Sequence, residues 1–124
     1  MDSIYQQLGE EEGIRRIVDR FYDLMDTLPE VQTLRDMHPP NLTSSREKLT
    51  WFLMGRFGGP NAFVERVGPP RLRARHLPFK IDLNAAEEWM RCMNQALEEE
   101  VPDEGLRYQL RVFFAQVALH MRNH

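Results

Sequence analysis

Apolar residues recur at steps of three and four along four stretches of the chain, and each stretch predicts a helix buried along one stripe. In the first, Ile14, Ile17, Val18, Phe21, Met25 and Leu28 share a face. Glu10 to Glu12 suit the positive start of that helix and Pro29 marks its end. Tyr22, four places after Val18, stands at the edge of the stripe, so its phenol can point into whatever the face covers. The second helix is expected after Ser44-Ser45, where Ser44 and Glu47 have capping-box spacing, with Leu49, Phe52, Leu53 and Phe57 on one side and Gly58-Gly59-Pro60 as the stop. The third starts near Asn84, again with Glu three places on, and buries Trp89, Met93, Ala96 and Leu97 before Pro102. The last follows Asp103 and carries the cleanest pattern: Leu106, Leu110, Phe113, Phe114, Val117 and Met121.

Two stretches break the rhythm. Residues 29–43 hold Pro29, Pro39 and Pro40 around Val31, Leu34 and Met37, which leaves room for one or two helical turns. Residues 58–83 hold three glycines and four prolines yet keep Phe63, Val64, Val67 and Leu72, which reads as a long connection of the kind that wraps a ligand. No period-2 run appears, so the expected fold is all-α with four main helices.

Composition narrows the function classes. A chain of 124 residues suits a single domain over 1–124, and 42% hydrophobic with 28% charged residues is ordinary for a globular protein. The formal charge of −3 argues against nucleic-acid and anionic-membrane partners. One cysteine, Cys92, excludes an internal disulfide and a two-thiolate zinc site. The start of the chain lacks the basic and apolar runs of a signal peptide and no segment is apolar enough to span a bilayer, so a cytoplasmic protein is expected.

Most enzyme motifs are missing. There is no HExxH, no CxxC and no Gly-x-Ser-x-Gly elbow, and Gly58-Gly59 runs into Pro60, which lacks the N–H a phosphate loop would present. Of the four histidines, His120 and His124 read as solvated side chains. His76 differs: it follows three arginines, sits among Leu72, Leu77, Phe79 and Ile81, and has Pro78 two places on to stiffen its exit. A structural histidine remains an alternative there, as ordinary core aromatics do for Tyr22, Trp89 and His38. Taken together, large side chains with polar tips, one rigidly held histidine and nearby arginines are the parts of a haem pocket.

Several blocks carry a family resemblance: Arg20-Phe21-Tyr22, Gly58-Gly59-Pro60, the run Pro70-Arg71-Leu72-Arg73-Ala74-Arg75-His76-Leu77-Pro78-Phe79, and Trp89-Met90-Arg91-Cys92-Met93. From Tyr5 to about Met121 the sequence resembles the truncated haemoglobins, specifically group II, the two-over-two globins of bacteria and plants. The resemblance implies a globin-like two-over-two helical sandwich enclosing haem b (iron protoporphyrin IX), with His76 as the proximal iron ligand. It places Tyr22 and Trp89 as distal hydrogen-bond donors, His38 where relatives carry an aromatic residue or a histidine, and Ser45 and Leu49 near the ligand entrance and over the iron. The region from Met37 to Ser45 is one residue shorter than in some relatives, which leaves the register of His38 and Ser45 open by one place.

Phe21, Leu49, Phe52, Phe63, Leu72, Ile81 and Met93 would supply the dry slot, and Arg75 and Lys48 match the positions that reach the haem propionates. The implied function is binding of dioxygen, nitric oxide and carbon monoxide, and peroxide as a further ligand, by a monomer or homodimer. Nitric oxide dioxygenase or peroxidase-like activity served by a reductase is left open. Two alternatives stand beside it: a globin-shaped sensor or interaction module that signals to a partner, which the presence of His76 disfavours, and a nucleic-acid-binding domain using Arg71, Arg73, Arg75 and Lys80, which the acidic balance disfavours.

Overall fold

The structure is a computed structural model that describes residues 2–124. In chain order it contains α1 (Ile4–Gln7), α2 (Glu10–Thr27), a single 3-10 turn (Pro29–Val31), α3 (Gln32–Asp36), α4 (Thr43–Arg56), α5 (Ala62–Arg66), α6 (Leu72–His76), α7 (Leu83–Glu100) and α8 (Glu104–Met121), with no strand among the described residues. The four long helices are the four predicted by periodicity. α2 packs against both α4 and α7, and α7 against α8, so one helix pair lies over another.

The stripes explain that packing. Ile14, Ile17, Val18, Phe21 and Met25 of α2 are buried, and they meet Cys92, Met93, Ala96 and Leu97 of α7 and Leu53 of α4 in one core. Each large apolar side chain fully withdrawn from water contributes roughly 1.5–3 kcal/mol. The stripe of α4 is less completely covered, since Leu49 and Phe52 are only half-buried. α8 buries Leu106, Leu110, Phe114, Ala118 and Met121, while Val117 is half-buried.

Helix starts depart from expectation twice. Ser44 does not cap the second long helix: α4 begins one residue earlier, Leu42 is its N-cap without a side-chain bond, and Asn41 Oδ1 instead accepts from the Thr43 N–H at 2.9 Å. Asn84 does not cap the third, because the Asp82 carboxylate accepts from the Ala85 N–H at 2.9 Å, a charge-assisted contact at the positive end of α7. Asp103 caps α8 as expected, accepting from the Leu106 N–H at 2.8 Å.

The breaker-rich stretches resolve into short elements. The N-terminal α1 escaped the periodicity argument, being only four residues long, and is held by a capping box between Ser3 and Gln6. It rests on the Gly58-Gly59-Pro60 turn: Gly58 has φ +98°, and a Cβ on Gly59 would lie 2.6 Å from the Tyr5 ring. That turn therefore seats α1 as well as ending α4. Between residues 58 and 83 the long connection contains α5 and α6, and α6 has no buried side chain of its own. It opens at Arg71, whose φ of +41° is a left-handed conformation that costs a non-glycine residue about 1–2 kcal/mol.

Candidate functional site

Residues from α2, α7 and the end of α3 form one cluster of rings. The Phe21 ring meets Tyr22 edge-on at 4.9 Å between centroids and tilts against Trp89 at 5.0 Å, and Tyr22 meets His38 at 6.0 Å. Adjacent positions on α2 thus share the work: Phe21 is wholly buried, while Tyr22 carries a phenol beside the His38 imidazole. Burial pushes the Tyr22 phenol well above its ordinary range, with the nearby Arg46 cation opposing that rise, so the phenol stays protonated and able to donate.

His38 follows α3, and its Nδ1 lies 2.9 Å from the Leu34 carbonyl oxygen. A carbonyl only accepts, so Nδ1 carries the proton. Burial holds the imidazole below its usual value of 6.5, with the Arg35 and His76 charges adding to the effect and the Leu34 bond opposing it. Neutral His38 therefore offers a lone pair at Nε2, and it becomes a donor there only when protonated.

His76 is the last residue of α6. Its Nδ1 donates to the Leu72 carbonyl one turn earlier at 2.6 Å, which fixes the ring and, in the neutral tautomer, leaves the lone pair on Nε2. This is the arrangement by which imidazole ligands are oriented toward metals. Among the described residues no cluster of three or more His, Cys, Asp or Glu could hold a bare metal ion.

The remaining expected residues lie on α4, α5, α6, α7 and the segment between α6 and α7. Phe63 of α5 is buried and meets Phe52 of α4 at 6.2 Å. Leu49, Phe52, Leu72 and Ile81 are half-buried, apolar and incompletely covered, and Met93 lies in the core one turn from Trp89. Ser45 is half-buried in the first turn of α4, and Lys48 is exposed on the same helix. Arg75 is exposed and folds back along its own loop: Nε donates to the Pro70 carbonyl at 2.6 Å, Nη2 to the Pro69 carbonyl at 3.0 Å, and the guanidinium lies 5.4 Å from the Phe63 ring centre. Free imidazole nitrogen, buried phenol and incompletely covered apolar side chains are a chemically sound set for a haem.

Two side chains that sequence reasoning passed over support this site. Glu88, only 8% exposed, accepts from the Leu34 N–H at 3.1 Å and from Asn84 Nδ2 at 2.6 Å. The Leu34 main chain therefore joins Glu88 of α7, through its N–H, to the His38 imidazole, through its carbonyl. A charged residue at a buried position of the α7 stripe was the available signal. Arg46 of α4 reaches the Asp19 carbonyl at 3.0 Å and the Asp23 carboxylate at 2.8 Å on α2, and it sits 5.8 Å from the Tyr22 ring centre. No pattern in the sequence marked that contact.

Comparison with known proteins places this arrangement. The Bacterial-like globin family profile matches residues 3–123. The group 2 truncated hemoglobin YjbI of Bacillus subtilis is 36% identical over 120 residues, 96% of this chain and 85% of that protein. Among solved structures, the cold-adapted truncated hemoglobin of the Antarctic marine bacterium Pseudoalteromonas haloplanktis TAC125 superposes with a TM-score of 0.97 at 44% identity, covering 99% of each chain. The group II 2-on-2 hemoglobin of Agrobacterium tumefaciens superposes at 0.96 with 36% identity, covering 99% of this chain and 95% of that one. The chain belongs to the bacterial-like globins, and within them it is a group II truncated haemoglobin with the two-over-two fold.

Proposed function

We propose that this globin takes up haem b through His76 and holds dioxygen, nitric oxide or carbon monoxide in a pocket edged by Tyr22, Trp89 and His38. The observation that carries the reading is the His76 tether, which presents Nε2 as an aimed, neutral ligand. Haem, when bound, supplies an iron with an open position for a diatomic gas. This chain's own residues do the rest. Phe21, Leu49, Phe52, Phe63, Leu72, Ile81 and Met93 line a dry slot and exclude water. Ser45 is assigned to the ligand entrance and Leu49 to the apolar cover over the iron. Lys48 and the Arg75 Nη1, which the Pro69 and Pro70 carbonyls leave free, suit the propionates.

The distal groups favour a ligand that gains negative charge on binding. The Tyr22 hydroxyl and the Trp89 indole N–H donate to it, and His38 accepts from a neighbouring donor or, once protonated, donates as well. Each donor to a charged acceptor contributes about 1.5–3 kcal/mol, and two together would slow ligand release by about two to four powers of ten. Such a pocket suits holding and reacting a gas more than rapid delivery. Nitric oxide dioxygenation or peroxide reduction, with electrons from a reductase, fits it better than transport.

Purified protein reconstituted with haem is expected to show a Soret band and a five- or six-coordinate histidine-ligated ferrous spectrum. His76→Ala is expected to lose that ligation, and a ferrous spectrum unchanged by the substitution would move the ligand elsewhere.

A further inference from the structure

Beyond α8 the chain turns back onto the segment that follows His76. The Asn123 backbone N–H donates to the Ile81 carbonyl at 2.9 Å, and Asn123 Oδ1 accepts from the Ile81 N–H at 2.9 Å, so one residue occupies both main-chain groups of Ile81. Asn123 Nδ2 donates to the Phe79 carbonyl at 2.8 Å and, at 3.4 Å, to the carbonyl of His76 itself. The same Oδ1 lies 2.6 Å from His124 Nδ1. The orientation of the amide is forced, since Nδ2 faces two carbonyls and Oδ1 faces an N–H. Close by, Arg73 Nη2 of α6 donates to the Arg122 carbonyl at 3.3 Å.

This clasp answers a need of the fold. α6 is a five-residue helix with no buried side chain, and Leu77 and Phe79 after it are 54% and 42% exposed. So short a helix, without a fully buried side chain, depends on neighbouring segments for its direction. His76 has one side-chain tether within the helix, Nδ1 to Leu72, and its exit is held locally by the Phe79 N–H, which donates to its carbonyl at 3.0 Å, and from outside by Asn123. We propose that Asn123 is a positioning residue: by pinning the carbonyls of His76 and Phe79 and both main-chain groups of Ile81, it sets the aim of the His76 ring and the strength with which haem is retained. The proposal rests on the reading of His76 as the iron ligand.

The test uses the full chain loaded with haem, with Asn123→Ala and Asn123→Asp beside the parent. Asp keeps an acceptor for the Ile81 N–H but sets lone pairs against the Phe79 and His76 carbonyls. Both variants are expected to give a shifted, broadened iron–histidine stretching band in the ferrous protein. Transfer of haem to an excess of a haem-free scavenger globin should be about tenfold faster, the equivalent of one or two lost hydrogen bonds. Amide exchange at Phe79 and Ile81 should rise while the α2 and α7 amides stay protected, a readout that does not depend on haem. A parental band together with parental transfer rates in both variants would overturn the proposal. Should Asn123→Ala fail to fold, Asn123→Ser, which keeps one hydrogen bond to the loop, is expected to fall between the parent and Asn123→Asp; parental behaviour in both of these variants would equally overturn it. His76→Ala run in parallel separates the two readings. If it abolishes the band while the Asn123 variants keep both the parental band and the parental transfer rate, only the clasp fails. If His76→Ala leaves the band in place, the ligand assignment fails, and the exchange data still score the hold of Asn123 on the loop.

Discussion

At the scale of single residues, the side chains expected to matter were legible by type and the bonds that set their roles were not. Tyr22 could be placed on the edge of a stripe, and His76 stood out among arginines and a proline. Their chemistry comes from partners that no pattern announces: the Leu72 carbonyl that decides which nitrogen of His76 is bare, and the Leu34 carbonyl that does the same for His38. Cys92 is wholly buried in the core, and burial together with the neighbouring Glu88 carboxylate raises its thiol to about 11.

Two predictions belong at this scale. Tyr22→Phe and Trp89→Phe are each expected to speed dioxygen release by about ten- to a hundredfold, the worth of one hydrogen bond to a charged acceptor; stopped-flow off-rates equal to the parent in both would refute the donor roles. The second concerns acid. His38 binds a proton less readily when folded than unfolded, so the unfolded chain takes up more protons as pH falls below about 6.5. The stability that neutral His38 contributes is complete above that value and declines as pH drops toward the lowered folded value. Thermal midpoints between pH 7.5 and 5.5 should therefore fall more in the parent than in His38→Phe, and equal falls would show that His38 is not the group responsible.

At the scale of elements, periodicity found every long helix because each buries a single stripe, and it missed α1 because four residues cannot display a period. The misplaced caps share one cause. Ser44 with Glu47 and Asn84 with Glu87 satisfy a local pattern, but other local partners a little earlier in the chain decided the outcome: Asn41 met the Thr43 N–H, Asp82 took the Ala85 N–H, and the Asn84 amide bonds Glu88 one turn on. Glu88 illustrates how an element as short as α3 is kept in place, since its carboxylate takes the Leu34 N–H in the first turn of that helix. Glu88→Ala would leave this N–H without a partner and should cost about 1–3 kcal/mol in chemical denaturation. Glu88→Gln retains an acceptor, and Asn84 can rotate its amide to match, so most of the loss should be recovered. A Gln variant as unstable as Ala would point to the charge itself.

For the whole molecule, the division of labour between helices is uneven. α2, α4, α7 and α8 share the continuous core, whereas α6, which carries the proposed iron ligand, contributes no buried residue to it. Removing haem should accordingly lower the thermal midpoint, because a ligand bound only to the folded form adds stability by mass action. The loosening should also be local. Trypsin is expected to cut the haem-free protein first after Arg71, Arg73, Arg75 or Lys80 and to spare those bonds once haem is restored; early cutting within α2 or α8 instead would mean that the core depends on the cofactor. The same asymmetry bears on biogenesis. If trypsin spares the core in this way, the central packing does not wait for α6, and the chain can complete its scaffold before haem is delivered. Cofactor supply, and not synthesis of new polypeptide, would then set how quickly a cell gains working globin.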